Sequence, residues 1–236
     1  MENFNNVYPS ALILERINPP EKINSIEQMN SILDDESYLT LIERPFFNKI
    51  KQIIGGIVQE GIQGDIVFVG VYRGGGALYV KSLFEELGHK SKSWLFDSFN
   101  GFAKPETINK KNNAINLFTN KGKFREQPSI VEVSNLFNQF NLAENMEIVD
   151  GFVKDTLENH KIEKIAFLHI DVDLYDPTLL SLQKLYPALS EGGWVIIDDY
   201  SAEVFDCKEA VDLYRNKNKI QSPIISLGNY PVGWKK

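Results

Sequence analysis

The sequence predicts a doubly wound α/β domain on a mostly parallel sheet of seven strands, with an antiparallel strand at its end, and three observations predict it. Short apolar runs alternate with stretches of helical periodicity over most of the 236 residues. The first run, Asp65–Gly70, passes through the glycine-rich turn Val71–Gly76 straight into a helical pattern. Two later runs, Ala166–Ile170 and Trp194–Ile197, each stop abruptly in paired acids, as a buried parallel strand does when its carboxyl end opens into a site.

Taken in order, residues 1 to about 35 combine Pro9, Pro19 and Pro20 with many asparagines, so no stable helix is expected before Pro20. From Ser37 the apolar positions Leu39, Leu41, Ile42, Phe46, Phe47, Ile50, Ile53, Ile54, Ile57 and Val58 recur at helical spacing as far as Gly61, with a break expected at Pro45. This segment is expected to pack on the core or to form part of a lid. The strand 65–70, its glycine turn and the helix 77–87 come next, then a second strand, Ser93–Asp97. Residues from Gly101 to about Pro128 are polar and aperiodic, too long for an ordinary connection, and read as a lid or an insertion.

A helix is expected over 131–140, a third strand over 146–149, and the acid-tipped strand after it. A helix starting near Pro177 leads to a turn at Ser190–Gly193, and another helix over 207–215 to two short strands, 223–227 and 230–234. Gly228-Asn229 between those two reads as a hairpin turn, which supplies the antiparallel strand.

Composition narrows the function. A formal net charge of −7 with scattered basic residues argues against a nucleic-acid partner. No apolar run reaches the roughly 20 residues of a membrane span, and Met1-Glu-Asn-Phe lacks a secretory start, so a soluble, cytoplasmic protein is expected. The single cysteine, Cys207, excludes an internal disulfide and a cysteine-rich zinc site, and reads as a small helix residue.

The glycine turn places backbone N–H groups at a helix N-terminus, where an anionic group can be held, although its spacing is not the dinucleotide fingerprint. Asp97 ends the second strand about 20 residues later, where an acid accepts hydrogen bonds from ribose hydroxyls. Turn and acid together favour a nucleoside-containing cofactor over a mere tight turn. At the other strand tips, Asp171 and Asp173 are expected to face Asp198 and Asp199 across one crevice, because consecutive strands of a right-handed crossover are neighbours. Four acids this close ask for a divalent metal, a proton-transfer role, or both. His169 shares a strand face with Asp171 and reads as a packed or supporting histidine rather than a base; His89 and His160 read as solvent-facing.

Five motifs in this order, Gly64–Gly75, Phe96–Phe102, Gly151–Leu157, Asp171–Tyr175 and Gly192–Tyr200, resemble the macrocin O-methyltransferase family from about Tyr38 to Trp234. The resemblance implies a class I, Rossmann-like methyltransferase that uses S-adenosyl-L-methionine and Mg²⁺ to methylate sugar hydroxyls of glycosylated natural products. It implies metal ligands Asp171, Asp198 and Asp199, with Asp173 as general base. Gly70 and the turn Arg73-Gly74-Gly75 would approach the methionine portion of the cofactor, Asp97 its ribose, and Asp150 with Gly151 and Phe152 its adenine, with Tyr72, Ser98 and Asp171 also among the cofactor-binding residues. It further implies a homo-oligomer, and a division into an N-terminal extension and lid over 1–60 and a catalytic domain over 61–236, with a lid insertion at about 101–128. Two departures stand out. The family commonly carries Glu where this chain has Phe68, which cannot accept a hydrogen bond. The family's Asp-Gly-Asp is here Asp171-Val172-Asp173.

Two rival functions are compatible with parts of this pattern. A Mg²⁺-dependent phosphohydrolase would use Asp171 and Asp173 as nucleophile and acid, but its motif normally opens the domain. A catalytically lapsed adenosylmethionine-binding fold is suggested by Phe68. The four acids could also merely cap helices and solvate strand ends.

Overall fold

The computed structural model describes residues 10–22, 28, 31–32, 35, 37–101, 119–120, 123–124, 127–203 and 205–236. Its centre is a seven-stranded sheet in the order β5-β2-β1-β6-β7-β9-β8, formed by β1 (Asp65–Val69), β2 (Ser93–Asp97), β5 (Met146–Asp150), β6 (Ile165–Ile170), β7 (Leu189–Ile197), β8 (Ile225–Ser226) and β9 (Val232–Lys235). The five strands from β5 to β7 are mutually parallel, and β9 runs antiparallel to β7 and to β8. All six residues of β6 are buried, which is why a near-continuous apolar run becomes the middle strand of a sheet covered on both faces. Of the expected lid, a separate pair, β3 (Thr119–Asn120) and β4 (Lys123–Phe124), is described together with the end residues 101 and 127–128; 102–118, 121–122 and 125–126 lie outside the described residues.

Helices divide between the two faces. One core joins the sheet to α1 (Ser10–Ile17), α2 (Arg44–Gln59), α3 (Gly75–Glu86) and α4 (Ile130–Gln139). The other joins it to α6 (Tyr175–Leu185) and α7 (Cys207–Lys217), with the short α5 (Val153–Thr156) and the 3₁₀ turn Leu157–Asn159 near β5 and β2. Burying one large apolar side chain contributes roughly 1.5–3 kcal/mol, and α2 alone buries Phe46, Phe47, Ile50, Ile53, Ile54 and Ile57 on one stripe. Ser129 and Glu132 close α4 with a reciprocal capping box. Among the described residues no helix is long and apolar enough to cross a membrane.

Four expectations are corrected. α1 is a helix before Pro20, because Ile13 and Ile17, one turn apart, bury fully against the α1–α3 contact and outweigh the unfavourable composition around them. Pro45 does not break a helix: it occupies the first turn of α2, where its missing N–H costs nothing, and Leu39–Ile42 lie before the helix in irregular chain. Ser190–Gly193 is not a turn but part of β7, where Gly192 at φ 82 sits in an irregularity that shifts the pairing with β6. His89 and His160 are also not simply solvent-facing: both are partly buried, His89 against Phe84 and His160 against Trp94 and Phe96.

Candidate active site

The chain runs outward from β1 to β2 and β5 in one direction, and from β6 to β7 in the other, so the strand order reverses between β1 and β6. Open α/β sheets bind ligands beyond the carboxyl ends of the strands at such a reversal. There the two tips nearly touch. The Asp171 N–H donates to Val69 O at 2.7 Å, and a Cβ built on Gly70, whose φ is 87, would lie 1.8 Å from Asp171 O. Only glycine fits, for space and for conformation.

Beyond Gly70 the chain turns through Tyr72 at φ 50 and Gly74 at φ 84 into α3. Asp97 at the tip of β2 holds this turn: one carboxylate oxygen accepts the N–H groups of Val71 at 2.8 Å and Tyr72 at 3.1 Å, the other that of Phe99 at 2.9 Å. A carboxylate has about four lone-pair sites, so acceptor capacity remains. Ser98 is turned into its own loop, its hydroxyl donating to Gly101 O at 2.8 Å. Gly151 N–H donates to Asp97 O at 2.9 Å, and Asp97 pairs in register with Asp150. Gly70, Asp97, Asp150 and Gly151 therefore follow one another along the same sheet edge, with Phe152 starting α5 beside them.

The start of α3 is less bare than the glycine pattern suggests. Gly75 N–H donates to Leu39 O at 2.9 Å, and a Cβ on Gly75 would meet that oxygen at 2.4 Å. Arg73 reaches the same segment, donating from Nη1 to Asp35 O at 3.0 Å and Tyr38 O at 3.1 Å. Part of the glycine run thus admits the chain before α2 to the cofactor turn.

At the tips of β6 and β7 the arrangement is different. Carboxylate oxygens of Asp171, Asp173 and Asp199 all lie within 4.8 Å of one another. Asp173 adopts φ 60, a left-handed conformation that Asp tolerates better than most residues, just beyond the strand end. Burial raises the Asp171 carboxyl well above its ordinary range, and the negative charges of Asp198, Asp173 and Asp97 push it the same way. Burial likewise raises Asp173 and, well above the usual range, Asp199, and these two carboxyl groups share a hydrogen bond. All three keep some solvent contact, yet protein encloses them enough for desolvation to lead.

Asp198, expected as a metal ligand, stands apart from the trio: its Oδ1 lies 3.6 Å from His169 Nε2, its side chain only 15% exposed. Its N–H donates to Ile170 O, which fixes the β7 tip against β6. The donor set suits Mg²⁺. All the converging groups are hard carboxylate oxygens, their mutual repulsion is relieved by a divalent cation, and the buried Asp198 Oδ1 has no hydrogen-bond partner.

Other groups around the cluster escape sequence reading. Asp206, 5% exposed, accepts the Tyr175 N–H at 2.6 Å and so ties the start of α6 to the start of α7. The Tyr200 hydroxyl donates to Asp212 Oδ1 at 2.7 Å and accepts from Lys208 Nζ at 2.9 Å, anchoring the residue after Asp199 to α7. The Lys208–Asp212 spacing of one helical turn is visible in the sequence, but nothing there brings Tyr200 to it. Cys207 is buried, and desolvation followed by the charge of Asp173 raises its thiol, so it is a packed residue. Phe68 faces the core, between the rings of Phe167 at 6.0 Å and His169 at 5.9 Å.

A family model described as Macrocin-O-methyltransferase (TylF) matches residues 31–236. The chain is 29% identical over 203 residues to mycinamicin III 3''-O-methyltransferase of Micromonospora griseorubida, covering 84% of this chain and 78% of that protein. It is 28% identical over 203 residues to 8-demethyl-8-(2,3-dimethoxy-alpha-L-rhamnosyl)-tetracenomycin-C 4'-O-methyltransferase of Streptomyces olivaceus, covering 83% and 75%. Among solved structures, that of the O-methyltransferase NovP superposes with a TM-score of 0.81 at 27% identity, covering 96% of this chain and 97% of that one.

Proposed function

This chain belongs to the macrocin O-methyltransferase family, and from that premise we propose that it methylates a sugar hydroxyl of a glycosylated natural product, using S-adenosyl-L-methionine and Mg²⁺. The observation that carries the metal and base assignments is the convergence of Asp171, Asp173 and Asp199 beside Gly70 at the reversal of strand order. The sugar acceptor rests on the relatives, one of which is named for a rhamnosyl substrate.

S-adenosyl-L-methionine supplies the sulfonium methyl group. Gly70, Tyr72, Arg73 and Gly74 would border its methionine portion, Asp97 with Ser98 its ribose, and Asp150, Gly151 and Phe152 its adenine. Asp97 does this while keeping the turn folded, since its bonds to Val71 and Tyr72 fix the backbone that the cofactor must approach. Asp171 and Asp199 would hold Mg²⁺, joined by the Asp198 carboxylate oxygen that does not face His169. A bound cation lowers the pKa of an acceptor hydroxyl and offsets the charge of these acids.

Asp173 then takes the proton from the acceptor. Its raised pKa makes it a stronger base than an exposed aspartate, and its left-handed backbone sets it apart from the ladder that fixes Asp171 and Asp198. Asp35, Tyr38 and Leu39, whose carbonyls are tied to Arg73 and Gly75, border the same turn.

The test is an assay of S-adenosylhomocysteine release with a panel of deoxysugar-bearing macrolides and polyketide glycosides, with Mg²⁺ or with chelator. Turnover on a glycoside, absent on its aglycone and in chelator, is expected. Equal turnover in chelator would remove the metal from this reading, and methylation of the aglycone would remove the sugar.

A further inference from the structure

His169 occupies β6 two residues before Asp171 and is 3% exposed. The rings nearest it are Phe46, 5.8 Å away on α2, and Phe68, 5.9 Å away on β1, neither of which can accept a hydrogen bond. Its Nε2 is buried without a partner, and so is Asp198 Oδ1, 3.6 Å away. Two orphaned polar atoms facing each other in a core are rare, because each costs about 1–3 kcal/mol when left unpaired. They meet for a topological reason. His169 is in register with Ile196 on β7, and Asp198, two residues further, projects from the same face.

From this juxtaposition we infer that His169 is a positioning residue for the metal centre: its Nε2–H donates to Asp198 Oδ1 and turns the other oxygen of Asp198 toward Asp171 and Asp199. This rests on the metal reading above. About half an ångström of closure separates the observed pair from ordinary hydrogen-bond length. The carboxylate gains a charge-assisted bond. Donors behind a ligating carboxylate fix its orientation, and removing one typically weakens metal affinity about 10–100-fold. The aromatic packing around the ring lets His169 serve only this one acceptor on that nitrogen.

The experiment titrates metal-free protein with Mn²⁺, following free ion by electron paramagnetic resonance, for wild type, His169→Gln and His169→Phe. Gln can place a donor near the Nε2 position, whereas Phe keeps the ring and loses the donor. The Mn²⁺ dissociation constant should rise about 10–100-fold in His169→Phe and stay within a few-fold of wild type in His169→Gln. Unchanged affinity in His169→Phe, or equal weakening in both variants, would overturn the role, reducing the residue to packing. No Mn²⁺ binding by wild type would overturn the metal reading itself, and this inference with it. Should His169→Phe fail to fold, ¹⁵N spectra of the wild-type imidazole decide: a proton on Nε2 supports the bond, and a bare Nε2 overturns it.

Discussion

Asp97 and Asp171 stand at the tips of β2 and β6, on either side of β1, and their surroundings are opposite. Asp97 accepts three backbone N–H groups, two of them from the turn after β1 that lies between the two acids. Asp171 meets burial and the negative charges of Asp198, Asp173 and Asp97, and its carboxyl is raised accordingly. The same residue type is thus an acceptor engaged by backbone on one flank and a member of a crowded acid cluster on the other. The difference lies in what each strand delivers next: glycine-rich turns bring donors, whereas the β6 and β7 tips bring only more acids. Environments that push like groups apart in this way assign their chemical roles.

The contrast breaks most sharply at the acid cluster. Asp171→Ala should lower methyl transfer by on the order of a thousand-fold, as the several kcal/mol of electrostatic stabilisation from a cation are lost, while binding of S-adenosylhomocysteine by calorimetry changes little. Asp173→Asn should lower kcat about 10²–10⁴-fold, the usual scale for a general base, with Mn²⁺ affinity retained; an unchanged kcat would contradict that role.

Asp97→Ala tests the other flank. Orphaning the turn's N–H groups should cost about 1–3 kcal/mol of stability in urea unfolding and weaken cofactor binding, yet leave Mn²⁺ affinity near wild type. A smaller effect sharpens the comparison through pH. Asp171, Asp173 and Asp199 have folded-state values raised above the ordinary 3.8, so the folded state holds their protons more tightly than the unfolded chain does. Their contribution is fully present below about 3.8 and is lost as pH rises through the raised values. In chelator the thermal midpoint should therefore fall as pH rises from the ordinary carboxylate range toward neutrality, and excess Mg²⁺ should flatten the slope. A midpoint rising over that interval in chelator would show that these groups do not dominate.

Much of this was legible in the residues. β6 announces itself because a strand covered on both faces must be apolar throughout, and its abrupt end at Asp171 marks where solvent begins. The glycine turn and Asp97 were legible as a unit, although the sequence points Asp97 at a ribose and says nothing of its bonds to the turn. That the acids meet was legible; which of them group most closely was not. Period-two reasoning treats Asp171 and Asp173 alike, but Asp173 lies past the strand in a left-handed conformation and shares a hydrogen bond with Asp199, while Asp198 stays in the ladder and turns to His169. α1 was hidden because eight residues with one buried isoleucine pair fold only against α3. Phe68, read as a possible sign of lost cofactor binding, proves to be a core residue packed on His169 and Phe167, and this chain is an O-methyltransferase by family.

The claim on which the rest depends is that the β6 and β7 tips share one cation beside the cofactor turn. Crystals grown with Mn²⁺ and S-adenosylhomocysteine, measured at the manganese absorption edge, test it directly. One anomalous peak is expected roughly 2.0–2.6 Å from carboxylate oxygens of both Asp171 and Asp199, with the nucleoside lying along Gly70 and Asp97. A map with S-adenosylhomocysteine in place and no peak between those two acids would contradict the account.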